Sequence, residues 1–148
     1  MLVFALALAP LACAGKSGSS AAPGDRSAEA APQTFTAQVE LGQKLYGQAC
    51  ASCHGAAGEG GRAPRVVGLA EGALPLDPPE GAKKRTGQFV TVADVGKFVI
   101  ETMPPGGAGK FTTEEYLAIL AFDLKANGID LGEEKLTLEK AAELTIPR

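Results

Sequence analysis

The sequence lacks tryptophan and has one histidine, two methionines and three cysteines among 148 residues, so chemistry based on imidazole or sulfur depends on very few side chains. It also lacks an excess of positive charge. The formal net charge of -3 and the pI of about 5.2 argue against general nucleic-acid binding. Aromatic residues make up only 5 %, which suits either a small helical core or a core packed around a large planar group. The length allows one domain.

The N-terminal hydrophobic run is also short. Leu2 to Leu11 spans ten residues with no Lys or Arg before it, which is too short to cross a bilayer and typical of a signal peptide. Two cleavage interpretations remain open. Ala12-Cys13-Ala14 fits an A-x-A site cleaved after Ala14, whereas the residues up to Cys13 resemble a bacterial lipobox in which Cys13 becomes the lipid-modified first residue. We favour the lipobox, and both predict export to the periplasmic side of a bacterial membrane.

The chain divides by composition into four segments. Residues 1–13 form the signal peptide and lipobox region, and residues 14–35, rich in Gly, Ser, Ala and Pro, are predicted to be a flexible linker. Residues 36–128 are predicted to form the folded domain, followed by a C-terminal extension over residues 129–148. A lipid on Cys13 would anchor the domain to the membrane through the linker.

Apolar periodicity predicts an all-α domain. One helix leads directly into Cys50, and a short helix is expected after Thr137. Two further helices are predicted from capping boxes, in which a Thr is followed three residues later by an acidic residue. These are Thr91 with Asp94, and Thr112 with Glu115, the latter helix ending at Gly128. No convincing strand pair is present, and the region between the first two helices is rich in glycine and proline.

The scarce side chains are concentrated in QACASCHGAAGEGG, residues 48–61, where Cys50, Cys53 and His54 spell C-x-x-C-H. This spacing occurs in redox dithiols, in zinc sites and at the attachment sites of c-type haem. A thioredoxin-like dithiol needs a preceding strand in an α/β pattern, and none is predicted. A zinc site needs four ligands, but only three remain once Cys13 is assigned to the signal region. Both interpretations are therefore disfavoured.

Covalent haem accounts for every position of the motif. The thiols of Cys50 and Cys53 would add to the two porphyrin vinyl groups, whose separation matches the two-residue gap, and His54 would then bind the iron as proximal ligand. Export agrees with this interpretation, because c-type haem is attached outside the cytoplasm. We therefore predict one covalently bound haem c.

The second axial ligand is predicted to be Met103. The chain has no second histidine, so it cannot supply bis-His ligation, and Met1 would leave with the signal peptide. Met103 lies in IETMPPGG, where Pro104 and Pro105 favour an extended backbone. A thioether on such a loop suits axial ligation, and His/Met coordination raises the reduction potential.

With these motifs the chain resembles the class I monohaem cytochromes c over about residues 37–127. Gly42 and Tyr46 are similar to the family's glycine and aromatic residue in the helix before the haem motif. Phe122 matches the aromatic partner on the C-terminal helix. The resemblance implies a small cytochrome c fold, in which the N- and C-terminal helices cross and loops surround one haem.

The resemblance also covers the loop after the motif. The family pattern G-x-G-x-x-x-P is present as Gly58, Gly60 and Pro64. It implies that the Pro64 carbonyl accepts a hydrogen bond from His54 Nδ1–H, which orients the ring and strengthens it as an iron ligand.

The chain departs from the family in having no tryptophan to hydrogen-bond a haem propionate. Arg62, Arg65, Gln88 or a backbone group would have to serve instead. The insertion from Glu71 to Gln88 contains a Lys83-Lys84-Arg85 run, which suits docking of an acidic partner or a solvated loop. Candidates for the wall of the haem pocket are Val66, Val67, Leu69, Phe98, Val99 and Leu120.

These features predict a single-electron carrier in the bacterial cell envelope that is not itself an enzyme. Its partners would be redox proteins, with no nucleic acid and no small-molecule substrate. The alternative is a dedicated haem subunit of a membrane-associated dehydrogenase or oxidase complex. A high-spin haem sensor or enzyme, in which Met103 is displaced, is a third and less favoured interpretation.

Overall fold

The computed structural model of the chain describes residues 31–83 and 85–148. The signal region, Cys13, most of the predicted linker and Lys84 lie outside these residues. The described part is helical, with no strand beyond an isolated bridge between Thr91 and Thr145, and the all-α prediction is confirmed. Its helices are α1 (Phe35–Ala49), α2 (Ala51–His54), α3 (Val92–Thr102), α4 (Thr113–Ala126) and α5 (Leu138–Glu143), with a 3₁₀ turn at Leu69–Glu71.

Both predicted capping boxes start helices. At the start of α3, Thr91 N donates to Asp94 Oδ2 over 2.7 Å, and Asp94 N donates to Thr91 Oγ1 over 3.3 Å. Thr112 and Glu115 form the same reciprocal pair before α4. These bonds satisfy backbone N–H groups that a helix end leaves without partners. Helix α4 ends just before Gly128, whose φ of +80° is readily adopted only without a Cβ.

Helices α1 and α4 cross in direct contact, as the family resemblance implied. A Cβ placed on Gly42 would lie 1.9 Å from the carbonyl oxygen of Ala118, so only glycine allows this approach of the two backbones. One turn further along, the rings of Tyr46 and Phe122 pack with centroids 5.1 Å apart and planes inclined by 49°. The crossing brings the C-x-x-C-H motif, which follows α1, against the buried face of α4.

The last twenty residues contribute Leu136, Ala141 and Ile146 to the core. Leu136 is fully buried, and its backbone is hydrogen-bonded in both directions by the buried side chain of Gln38. Near the C-terminus, Val92 N donates to Leu144 O and Ile146 N donates to Val90 O, each over 2.9 Å. The segment predicted as an extension therefore packs against α1 and the start of α3.

The start of the domain is also well packed. Phe35, the last residue of the segment predicted as linker, is the first residue of α1 and only 1 % exposed. It belongs to a cluster that includes Leu117 of α4 and Leu136. Among the helices of the described part, none has the length and apolar character needed to span a membrane.

Candidate functional site

The loop after the C-x-x-C-H motif folds back over it. Gly60 N donates to His54 O over 2.7 Å, and Ala63 N donates to Cys53 O over 3.0 Å. The carbonyl of Gly58, at φ +81°, accepts from the backbone N–H groups of Val66 and Val67. The loop is thus held by its own backbone, and this arrangement carries Pro64 to the histidine ring.

His54 is oriented by Pro64, as the resemblance implied for this pair. The distance from His54 Nδ1 to Pro64 O is 2.7 Å. Because a carbonyl oxygen can only accept, the proton lies on Nδ1 and the lone pair lies on Nε2. A ring fixed in this way has one nitrogen available to bind a metal.

Met103 follows α3 in an extended conformation, with φ -116° and ψ 147°. Its backbone is held at both ends, because Met103 N donates to Val99 O over 2.9 Å and Tyr116 Oη donates to Met103 O over 2.8 Å. Sequence reasoning missed this contact of Tyr116. Its hydroxyl was the available signal, since a buried tyrosine usually has a hydrogen-bond partner for this group.

His54 and Met103 both line a cavity of about 360 Å³, whose wall consists mainly of apolar side chains. Cys50 lines it as well, whereas Cys53 does not and has its Sγ 3.5 Å from an Arg62 Nη atom. The other lining residues are Tyr46, Pro64, Arg65, Val66, Leu74, Pro75, Pro79, Ala82, Lys83, Arg85, Phe89, Val95, Phe98, Val99, Ile119 and Asp123.

Three of the six predicted wall residues line this cavity: Val66, Phe98 and Val99. Leu69 and Leu120 instead line an adjacent cavity of about 20 Å³, and Val67 lines neither. The apolar periodicity of the helices marked buried positions but could not tell which of two neighbouring spaces each side chain faces.

Of the predicted propionate partners, Arg65 lines the cavity, while Arg62 donates to Ser52 O over 3.2 Å and Gln88 donates to Asp77. Sequence reasoning did not place Lys83 and Arg85 at the cavity, but both line it. Arg85 lies over the ring of Phe89, with its guanidinium carbon 4.0 Å from the centroid. The cavity wall therefore has cationic groups available for an acidic substituent.

Asp123 is another residue of this site that sequence reasoning missed. It lines both cavities, and its Oδ1 is buried without a hydrogen-bond partner in the described part of the chain. Burial raises the pKa of its carboxyl to about 8. Burial, followed by the charge of Asp123, raises the pKa of the Cys50 thiol to about 11 and also raises the pKa of Tyr46. The sequence feature that could have revealed Asp123 is an acidic residue on a helix face whose other residues are apolar.

The residues around the cavity fit a haem. An apolar space suits a flat hydrophobic macrocycle, and a histidine nitrogen with a thioether sulfur is a donor pair used for haem iron. A thiol on the wall suits attachment to the ring. The two donors lie on separate elements, His54 on α2 and Met103 after α3, and both line this cavity.

The crossed helices and the C-x-x-C-H motif beside an apolar cavity define a c-type cytochrome domain. Residues 37–122 match the model of the family described as "Cytochrome C oxidase, cbb3-type, subunit III". The match covers more than half of the chain, and the protein therefore belongs to this family of c-type cytochrome domains. Its cofactor is covalently bound haem c.

The fold is also similar to a solved structure. A chain in the crystal structure of the sulfane dehydrogenase SoxCD from Paracoccus pantotrophus matches with a TM-score of 0.53 and 25 % sequence identity. The match covers 80 % of this chain and 60 % of that chain, so this chain spans less than two thirds of its neighbour. A comparison with curated proteins gives no match.

Proposed function

We propose that the protein is a single-electron carrier in which Cys50 and Cys53 bind the haem covalently, and His54 and Met103 are the axial ligands of its iron. The main support is the bond of 2.7 Å from His54 Nδ1 to Pro64 O, which leaves Nε2 free on a ring that lines the same cavity as Met103. Bound haem c supplies a Fe(III)/Fe(II) couple that accepts and releases one electron.

The chain's own residues have positioning roles in this proposal. Pro64 fixes the tautomer of His54, and Tyr116 fixes the backbone of Met103. The apolar walls of the cavity would keep water away from the iron of a bound haem. With both axial positions filled, no open coordination site is left for a substrate, and for this reason we propose a carrier that is not itself an enzyme.

The proposal is tested by producing the haem-loaded protein together with c-type maturation machinery. We expect haem that resists acidic organic extraction, and a ferric spectrum containing the weak long-wavelength band given by Met–iron ligation. Met103→Ala should abolish that band and keep the covalent haem, while the matched helix variant Ile100→Ala should keep both. Wild-type protein without the band would contradict the ligand assignment. Extractable haem would contradict the attachment.

We also propose that the protein is exported and anchored to the membrane by a lipid on Cys13, with cleavage after Ala14 as the alternative. The support is the sequence pattern alone. Mass spectrometry of the mature N-terminus distinguishes the two, because only the lipoprotein begins with a diacylated Cys13. A mature chain that begins at Gly15 would exclude the anchor.

A dedicated haem subunit is the second candidate, supported by the similarity to a chain of a dehydrogenase structure. Against it, the large hydrophobic residues that are exposed in the described part of the chain are Val90, at 47 %, and Leu138, at 52 %. They form no large apolar patch of the kind that a permanent complex buries. Size-exclusion chromatography of the detergent-solubilised native protein, detected by its haem absorbance, distinguishes the carrier from the subunit. A carrier elutes at its own mass, and a subunit elutes with its complex.

A further inference from the structure

Asp123 lies in an apolar setting. It follows a run of buried residues on α4, and the residues from Tyr116 to Ala121 are all buried, as is Leu124. Its side chain lines the wall between the large cavity and the cavity of about 20 Å³. The smaller cavity is about large enough for one water molecule. An acidic group at this position carries a desolvation cost that an apolar residue would not.

Asn127, which lines the smaller cavity together with Asp123, does not compensate the Asp123 carboxyl. Asn127 Nδ2 donates to the backbone carbonyls of Val66 and Asp123, and Asn127 Oδ1 accepts from the backbone N–H groups of Gly68 and Leu69. All the hydrogen-bonding groups of this amide are therefore used by the backbone. Oδ1 of Asp123 remains without a partner among the described residues.

The titratable groups that share the cavity do not neutralise it either. The hydroxyl of Tyr46 donates to Gly55 O over 3.1 Å, and no ion pair joins Asp123 to a described cation. Helix α3 and the C-terminal segment contribute only uncharged side chains to the two cavities. The titratable or charged groups that line the large cavity with Asp123 are Tyr46 from α1, Cys50 between α1 and α2, His54 from α2, and Arg65, Lys83 and Arg85 from the following loop.

We propose that Asp123 is a redox-linked proton-binding site, which binds a proton when the protein accepts an electron and releases it when the electron leaves. This inference rests on the proposed function. The electron comes from the redox partner and the proton from solvent, so at most one proton is bound for each electron accepted. The chemical change at Asp123 is formation or loss of its own O–H bond.

The physical basis is the charge of the shared cavity. Accepting an electron makes the cavity more negative by one unit, and the low dielectric of an apolar site leaves that charge poorly screened. A neutral carboxylic acid is then favoured over a carboxylate. By thermodynamic linkage, the protonated form of Asp123 in turn favours the reduced protein. The reduction potential should therefore fall as the pH rises through the pKa of Asp123, for which burial gives a value of about 8.

The test is an optical redox titration of the haem-loaded protein from about pH 5 to about pH 10. We expect the midpoint potential of the wild type to shift downward across the neutral to alkaline range. Asp123→Asn, which has nearly the same shape and cannot titrate, should lose most of this shift. The matched control Glu40→Gln removes an exposed carboxylate from α1 and should retain it. An unchanged pH profile in Asp123→Asn would overturn the inference.

A second measurement uses only the wild type, in case the variant does not assemble. The infrared difference spectrum between reduced and oxidised protein should contain a carboxylic acid C=O band in the reduced state that shifts in D₂O. A spectrum without such a band would overturn the inference. A protein without a reversible haem couple would contradict the proposed function, whereas a reversible couple that is independent of pH would contradict only the role of Asp123.

Discussion

The hydroxyl of Tyr116 donates a hydrogen bond of 2.8 Å to the carbonyl oxygen of Met103. This bond joins the buried face of α4 to the residue that follows α3, at the wall of the cavity that His54 also lines. Tyr116 is only 1 % exposed, and its ring packs against Phe111 with planes at 84°. The position of Met103 therefore depends on a side chain 13 residues further along the chain.

Tyr116→Phe should weaken the attachment of Met103. The variant keeps the ring contact with Phe111 and loses one hydrogen bond, so we expect a loss of about 1 kcal/mol of unfolding free energy. The ferric Met–iron band should also disappear at lower temperature than in the wild type. The control variant is Tyr46→Phe, which removes the hydrogen bond to Gly55 O, next to His54. It should lose unfolding free energy but keep the temperature dependence of the Met–iron band. Equal behaviour of the band in both variants would contradict a specific role for Tyr116.

Gly42→Ala should disrupt the crossing of α1 and α4. Its Cβ would lie 1.9 Å from a backbone oxygen that cannot move aside alone, so we expect a loss of more than about 2 kcal/mol. Gly47→Ala on the same helix meets no atom within 4 Å and should raise stability by about 0.5–1 kcal/mol. Chemical denaturation measures both, and effects of the same sign would argue against the observed crossing.

Gln38→Leu should detach the C-terminal segment from α1. The substitution leaves both the N–H and the C=O of Leu136 buried without partners, which should cost about 2–5 kcal/mol. Gln43→Leu, at an exposed position of the same helix, should change stability by less than about 0.5 kcal/mol. Hydrogen exchange of the Leu136 amide provides a local readout, and faster exchange is expected only in Gln38→Leu.

Asp123→Asn should stabilise the haem-loaded protein by an amount that grows with pH. The pKa of Asp123 is raised by burial to about 8 from an ordinary value of 3.8. Between these values the unfolded chain has lost the proton while the folded chain retains it, so wild-type stability falls as the pH rises. Because the asparagine side chain does not ionise, the variant does not lose this unfolding free energy. The loss in the wild type is of the order of a few kcal/mol at about pH 8.

Thermal unfolding of wild type and variant from about pH 4 to about pH 9 measures this difference. Asp130→Asn is the control with the opposite sign, because the hydrogen bond from Lys125 lowers the pKa of Asp130. Its wild-type carboxylate favours folding above the unfolded pKa, and that contribution is lost as the pH falls. A difference between Asp123→Asn and wild type that stays constant with pH would contradict the burial of an acidic group.

Local sequence signals predicted the helices and the sequence motif of the site well. The capping boxes of α3 and α4 depend on residues three positions apart, and Gly42 marks a contact that no other residue allows. The C-x-x-C-H motif identified the class because its chemistry is contained within five consecutive residues.

Features that depend on distant parts of the chain were not predictable. Gln38 and Leu136 are 98 residues apart, and no local pattern pairs them. The C-terminal segment was therefore treated as an extension, although Ile146 is only 8 % exposed. Asp123 was missed for a related reason. An acidic residue on a helix is usually assigned to the solvent face, and the cavity that Asp123 lines is formed only when the loop packs against the helices.

The bond between Gln38 and Leu136 also affects the order of folding. Because α1 is covered by a residue 98 positions later, a growing chain has made nearly its whole length before the core can close. The ring of Phe35 and the thiols of Cys50 and Cys53 stay accessible on that incomplete chain. Closure of this long loop is entropically slow compared with formation of the local helices.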